Sequence, residues 1–280
     1  MAAAEAPRGG RALGLALLAP SLAAMALFAV ALGALFQFSL LEFIPGSLRT
    51  GGLTGKNFQA VLAPQYLRYI WDTIVLSVLT TVLTLVAAYP VAYALARARS
   101  ARLRSLLLVL TLAPFFTGAI VRTYAWMLVL GNSFVRWPVK LLFEPEGVLV
   151  GLVHFSMPTM ILILAAAISH IDPVYERAAA SLGARPARVF WRVTLPLSMP
   201  GIASGALVVF AWTFSAFPTP ELLGGGRVKM IANVVKDLAL DAFNWPGSAA
   251  FAVVALAVTF VLLAAVSRFL GRAAAGGGHA

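Results

Sequence analysis

Residues 148–200 read VLVGLVHFSMPTMILILAAAI and then SHIDPVYERAAASLGARPARVFWRVTLPLSMP. The first twenty-one carry no Asp, Glu, Lys or Arg. At 1.5 Å per residue that run is long enough to cross about 30 Å of hydrocarbon as a helix. The next thirty-two bring two acids and four arginines before apolar character resumes at Gly201. An uncharged run that ends abruptly in a charged one marks a helix leaving a membrane on the side where the charges stay.

Five further stretches share the first pattern. They run from about Leu13 to Leu41, Ile70 to Leu95, Leu106 to Leu130, Gly201 to Leu223 and Ala249 to Leu270. The first exceeds the 7–15 residue core of a signal peptide, so it reads as an uncleaved span. The tail AAAGGGHA cannot build a core. The period-2 alternation of a membrane β-barrel is missing. Composition agrees: 61% of the 280 residues are hydrophobic and 11% charged, against about 45–50% and about 25% in soluble domains. The expected fold is an all-α membrane protein of six transmembrane helices, occupying residues 1–280 as a single unit, with the polar loop 169–200 between spans four and five.

The net charge of +11 is read as topology rather than nucleic-acid binding. One set of alternate segments holds Arg8, Arg11, Arg97, Arg99, Arg102, Arg104, Arg177, Arg185, Arg188, Arg192, Arg268 and Arg272, against Glu5, Asp172 and Glu176. The other holds Arg49, Lys56, Arg68, Arg136, Lys140, Arg227, Lys229 and Lys236, with most of the acids. The positive-inside rule puts both termini and the 169–200 loop in the cytoplasm.

Catalytic chemistry is hard to place. The chain has no cysteine, hence no thiolate metal site or Cys nucleophile. Gly55-Lys56-Asn57 lacks the first glycine and the hydroxyl of a phosphate-cradling loop, and it falls on the outer side. His154, His170 and His279 are not spaced as metal ligands. No metal site and no resident cofactor is expected.

Ionisable residues in or beside spans are the candidates for a solute pathway. Arg122 lies about eight residues, roughly 12 Å by helical rise, from the outer end of span three, placed either to snorkel outward or to serve a pathway or interface. Asp72 is one turn into span two. Glu221 follows Pro218 and Pro220 where span five meets the outside, and its carboxylate is placed to meet a cationic solute or plain solvent. Pro20, Pro90, Pro114, Pro158 and Pro218 are either tolerated kinks or hinges.

Within the loop, Asp172 is positioned to cap a helix starting at Pro173, with Glu176 near its positive end. Ala178, Ala179 and Ala180 propagate it, and Gly183 ends it in a left-handed turn. Pro186 starts a second short helix that Pro196 stops. On it Arg185, Arg188 and Arg192 make a basic stripe beside an apolar face of Val189, Phe190 and Val193. Such a bracket either lies on anionic lipid or docks a cytoplasmic partner.

This loop resembles the signature of the permease subunits of bacterial ABC importers: E-A-A, three residues, G, nine residues, I-x-L-P. Aligned on Gly183, the alanines fall on Ala178 and Ala179 and the distal end on Val193, Leu195 and Pro196. The glutamate position falls on Arg177, with Glu176 one residue earlier. APFFTGAIVRTYAWMLVLG in span three and SAFPTPELLGGGRVKM after span five look like the spermidine/putrescine-type group, which gives Arg122, Tyr124 and Trp126 a family pattern. Many permeases of that group carry an acid just before the phenylalanine matched by Phe217; here Ala216 stands there.

The resemblance implies a type I importer permease fold with a cytoplasmic coupling helix. It implies a second, usually non-identical permease and two ATP-binding subunits that hold the ATP and Mg. It also implies an extracytoplasmic solute-binding protein. Coupling residues would be Glu176, Arg177, Ala178, Ala179, Gly183, Arg188, Phe190, Val193, Leu195 and Pro196, with Phe190 filling a socket on the ATPase and Glu176 and the arginine stripe setting orientation. Pathway residues would be Asp72, Arg122, Tyr124, Trp126, Phe217 and Glu221. The expected solute is a small cationic one such as a polyamine. The alternatives are an amino-acid derivative or opine-like compound and, outside the class, an ATPase-independent secondary transporter.

Overall fold

The structure, a computed structural model, describes residues 8–276 apart from positions 48, 132–134 and 136, with side chains from Leu18 to Arg268. Arg136, His279 and the side chains of Arg8, Arg11 and Arg272 lie outside the described residues.

Helix α1 (Arg8–Ser39) leads into a hairpin of β1 (Leu41–Phe43) and β2 (Thr50–Leu53), paired antiparallel with Leu41 opposite Leu53 and Phe43 opposite Thr50. The short α2 (Lys56–Val61) follows, and its Asn57 amide donates to the carbonyls of Ser39 and Leu41 at 2.8 Å each. Next come α3 (Pro64–Arg97), α4 (Ala101–Leu112) with a 3₁₀ turn over Ala113–Phe116, α5 (Ala119–Leu130) and α6 (Pro145–Ser169). The polar loop folds as α7 (Pro173–Ser181), α8 (Pro186–Val189), a π turn over Phe190–Thr194 and α9 (Leu195–Leu197). Then α10 (Met199–Phe214), α11 (Pro218–Gly224), α12 (Ile231–Lys236) and α13 (Trp245–Gly276) complete the described chain.

Four helices are unbroken candidates to cross a membrane: Leu18–Ser39, Pro64–Arg97, Pro145–Ser169 and Trp245–Arg268. The other two expected spans are not single helices. Ala101–Phe116 and Ala119–Leu130 meet at 100°, and Pro186–Leu197 and Met199–Phe214 at 65°. The apolar run 201–223 also breaks at Ser215–Phe217, where the chain leaves α10 before α11 begins. The five prolines divide accordingly. Pro20, Pro90 and Pro158 lie inside continuous helices, whereas Pro114 and Pro218 sit at breaks.

The bundle centre is α3 packed on α6 and α10. Its main core joins Ala88, Tyr89, Ala92 and Leu95 of α3 to Met160, Leu164 and Ile168 of α6 and Val209 of α10. The faces of α3 are arranged for lipid rather than water. Thr73, Ser77, Thr80, Thr81 and Thr84 are buried while Val78, Leu79, Val82, Leu83 and Val86 are exposed. Helices in hydrocarbon associate through small and hydroxyl-bearing residues, because an aliphatic face gains nothing by leaving lipid. Thr73 and Thr81 satisfy their hydroxyls by donating to the carbonyls of Tyr69 and Ser77, at 2.6 and 2.7 Å.

Close approach of α6 to its neighbours depends on glycine. A Cβ on Gly201 would clash with the Cβ of Ala167, and one on Gly205 would fall 2.7 Å from Met160 Sδ. We therefore expect Gly201→Val to lower stability by about 1–3 kcal/mol through overpacking, read as a lower melting temperature of the purified protein in detergent. Gly33→Ala, where a Cβ meets nothing within 4 Å, should leave the melting temperature unchanged.

Candidate functional site

The polar loop 169–200 forms the bracket expected of it, held by local hydrogen bonds. Asp172 Oδ1 accepts from the Val174 N–H at 2.8 Å and caps α7, with Pro173 in its first turn. At the other end Gly183 takes a φ of +82°. The N–H of Ala184 donates to Ala179 O at 3.1 Å and that of Gly183 to Ala180 O at 2.9 Å. This is the two-bond ending that favours glycine, because its left-handed residue tolerates no Cβ without strain.

Two features of the bracket turn inward rather than outward. Glu176 accepts from Arg97 Nη2 at 3.1 Å and from the Thr194 hydroxyl at 3.0 Å, with the Tyr93 hydroxyl at 3.5 Å. The carboxylate and guanidinium side chains are only 15% and 16% exposed. Arg97 also donates to Ile171 O at 3.0 Å. Phe190 packs edge-on against Tyr89, with centroids 5.4 Å apart, and the Tyr89 hydroxyl lies 2.8 Å from Ser198 Oγ. Glu176 and Phe190, expected to orient the bracket on a partner and to fill a partner's socket, each make contacts within this chain while staying partly exposed. Pro196 lies inside the final turn, which ends at Leu197. The π turn passes Leu195 N–H to Phe190 O, five residues back, and the chain bends only at Ser198.

The bracket's outer face consists of other residues. Leu182 at the corner is 89% exposed, and Val174, Tyr175 and Trp191 are exposed with it. Arg177, Ala178, Arg185, Arg188, Arg192 and Pro196 are also exposed, while Ala179, Val193 and Leu195 are partly covered. Sequence reasoning missed Arg97, Tyr93 and Thr194 as the anchor and Leu182 as the apex. A leucine immediately before the helix-ending glycine was the available signal for the apex.

A cavity of about 240 Å³ opens at the break between α10 and α11, lined by Ala119, Phe155, Trp212, Thr213, Phe217 and Thr219 among others. Non-helical backbone at membrane depth is tolerated where it is covered by protein or lines a cavity. Arg122 lies beside this wall, its guanidinium carbon 4.4 Å from the Phe155 ring centroid. Trp126 meets His154 edge-on at 5.3 Å, and Phe155 meets Trp212 at 5.9 Å. Arg122, Trp126 and Phe217 therefore gather around α6 and the break. Tyr124 is exposed, and Asp72 pairs with Arg68 at 3.8 Å in an exposed i,i+4 contact. Because span three breaks at Thr117–Gly118, Arg122 sits in the first turn of a separate helix, and the distance along a continuous helix to the outer end no longer describes its position.

Glu221 is not free. It accepts from Asn233 Nδ2 at 2.7 Å and from Lys236 Nζ at 3.1 Å. Lys236 also reaches Asp237 at 2.7 Å and Asp241 at 2.9 Å, and hydrogen bonds to these carboxylates push its pKa above the ordinary lysine range. Partial burial acts to raise Asp237, yet hydrogen bonds from Lys229 and Lys236 hold it below its ordinary value.

Apolar helices around a broken-helix cavity on one side, with a rigid, cationic bracket projecting on the other, define a membrane transport permease. The chain belongs to the family described as binding-protein-dependent transport system inner membrane component, whose sequence profile matches residues 88–275. It is 33% identical over 222 residues to the spermidine/putrescine transport system permease protein PotB of Haemophilus influenzae, covering 75% of this chain and 77% of that one. It is 32% identical over 221 residues to PotB of Escherichia coli, covering 75% and 80%. Among solved structures, a chain of the bacterial alginate ABC transporter in complex with alginate pentasaccharide-bound periplasmic protein aligns with a TM-score of 0.72. That alignment covers 93% of this chain and 94% of that chain at 16% identity. The fold is that of a type I ABC importer permease.

The inward ion pair yields a direct expectation. Arg97→Met leaves Glu176 buried without its guanidinium and should destabilise the protein by about 3 kcal/mol, whereas Arg97→Met with Glu176→Met should recover most of that loss. Chemical or thermal unfolding of the three variants in detergent measures both.

Proposed function

We propose that this chain is one pore-forming half of an ATP-driven importer in the bacterial inner membrane, with both termini in the cytoplasm. A second, non-identical permease forms the other half of the pore. Two ATP-binding subunits beneath carry out hydrolysis with their own ATP and Mg, and an extracytoplasmic binding protein delivers the solute. The observation that carries this reading is the bracket's mounting. Its exposed apex at Leu182 and its arginine face are joined rigidly to α3 through Glu176 and Arg97, and it continues through α9 into α10, which ends at the outer cavity. Closure of the ATPase dimer against the bracket then moves α10 as a lever, switching the pathway between two packings that different partner states favour.

For the solute, a polyamine is the first reading, supported by the similarity to permeases named for spermidine and putrescine. A second reading, an amino-acid derivative or opine-like compound, is favoured by one observation: among the described residues no Asp or Glu lines the cavity, and Ala216 does.

Gly183→Pro tests the coupling. Proline holds φ near −65° and removes the N–H, whereas Gly183 stands at +82° and donates to Ala180 O. In reconstituted vesicles uptake should fall by about tenfold or more while ATP hydrolysis by the complex persists. Normal uptake by a correctly inserted Gly183→Pro complex would refute the assignment. So would purification of the wild-type chain from its native membrane without an ATPase or second permease.

A further inference from the structure

Between α3 and the helical run that leads from the bracket into α10 lies an apolar groove of about 460 Å³. Leu85, Val86, Tyr89 and Tyr93 belong to its α3 wall, and Trp191 and Ile202 to the wall opposite. Among the described residues no charged side chain lines it, and no glycine, alanine, serine or threonine does. The packed face of α3 is different, since it buries Thr73, Ser77, Thr80, Thr81 and Thr84. The groove instead shares Val86 with the aliphatic face on which Val82 and Leu83 are exposed. An aliphatic surface gains nothing by exchanging lipid for a protein helix, so a hydrocarbon chain is the occupant this groove favours.

The groove has a polar end and a deep end. From Thr73 to Ala96 α3 carries no charged residue, and Arg97 closes that run. Tyr93 stands one turn before Arg97, and its hydroxyl lies 3.5 Å from Glu176, which sets it where the span ends. Leu85 lies farther in by about 12 Å of helical rise. Trp191, across from α3, is 64% exposed. A tyrosine and a tryptophan at such a boundary are the side chains enriched at the level of lipid headgroups. Positive charge follows next. Arg192 adjoins Trp191 on the π turn, and Arg188 precedes it within one helical turn. Both are exposed, and neither enters an ion pair among the described residues. Cation, aromatic pair and apolar trough thus succeed one another in the order of phosphate, glycerol backbone and acyl chain.

We propose that this groove seats an acyl chain of one anionic phospholipid, whose phosphate is held by Arg192 with Arg188 adding to the attraction. Basic residues beside a pocket between spans select such headgroups. The acyl chain packs between α3 and the run entering α10, where the bracket joins the bundle. The site depends on the chain's spanning a membrane and not on how the bracket couples to ATP.

The test uses the full chain, purified in detergent with the subunits that accompany it, and native mass spectrometry to count retained lipids. Phosphatidylglycerol and phosphatidylcholine with identical acyl chains are added in equal amounts. Wild type should keep one phosphatidylglycerol in preference to phosphatidylcholine. Arg192→Gln should weaken that retention about fivefold, and Arg188→Gln with Arg192→Gln about 25-fold. Val86→Trp fills the groove at a position already 67% exposed, and should weaken retention of both lipids with both arginines in place. Arg68→Gln removes the same charge near the other end of α3 and should change nothing.

Equal retention of the two lipids by wild type would overturn the proposal, as would undiminished retention in Arg192→Gln. A loss in Arg68→Gln matching that in Arg192→Gln would reduce the effect to net charge. Undiminished retention in Val86→Trp would leave a headgroup held without the groove. Either result overturns the site. If a second permease covers the groove instead, the intact complex keeps no such lipid and Val86→Trp sheds that subunit, which also refutes it. None of these outcomes bears on uptake by the Gly183→Pro complex, so the lipid site and the importer reading fail separately.

Discussion

Arg97 and Glu176 meet at 3.1 Å with both side chains about five-sixths covered, and the placement of the bracket depends on that contact. Glu176 belongs to α7, Arg97 to the last turn of α3, and Thr194, which donates to the same carboxylate oxygen, to the π turn before α10. One carboxylate thus joins three elements. Covering two charges carries a desolvation penalty that Coulombic attraction offsets only when the remaining donors and acceptors are also used. Here Arg97 Nη2 reaches both Glu176 and Ile171 O and Glu176 receives the Thr194 hydroxyl, while Arg97 Nε is left buried without a partner. Removing either charged partner leaves the other partly covered without its counter-ion.

The membrane imposes the complementary constraint above that junction. Backbone polar groups in hydrocarbon must find partners, so a helix breaks only where protein or a cavity covers the break. The breaks at Thr117–Gly118 and Ser215–Phe217 fall close to each other in space, since Ala119 and Phe217 line the same cavity. Ser215 covers part of the loss by donating its hydroxyl to the Ala211 and Trp212 carbonyls at 3.1 Å. The bundle is closely packed where glycine lets α6 approach α10 and loosens where the helices end.

What was legible in the sequence was local. Apolar runs locate the spans because crossing hydrocarbon takes length and little else. The bracket's ends were readable because an Asp before Pro173 and a glycine at 183 act through backbone hydrogen bonds within a few residues. The breaks were not readable: both sides of each are equally apolar, and proline does not discriminate, since Pro90 and Pro158 lie in continuous helices while Pro114 and Pro218 mark interruptions. Nor was the direction of Glu176, because its partner is 79 residues away and four arginines, 97, 99, 102 and 104, compete on paper. Phe190 looked like an exposed apolar plug in a basic stripe. The π turn rotates it onto Tyr89, and no period of 3.6 anticipates that rotation.

The charges, sorted by what they touch, carry the last step. Among the segments that hold most of the acids, Lys56, Arg68, Arg227, Lys229 and Lys236 each pair with a carboxylate of the same chain, while Arg49 and Lys140 enter no ion pair among the described residues. In the alternate set of segments Arg97 alone among the described residues does so, while Arg99, Arg102, Arg104, Arg177, Arg185, Arg188 and Arg192 enter no ion pair. Retention of a cation on one face of a membrane requires exposed positive charge, but topology alone does not explain why four of those arginines stand on a bracket whose apolar apex is also bare. An unpaired charge in water is ordinary, and beside exposed leucine, tyrosine and tryptophan it has the composition of an interface rim around a hydrophobic centre.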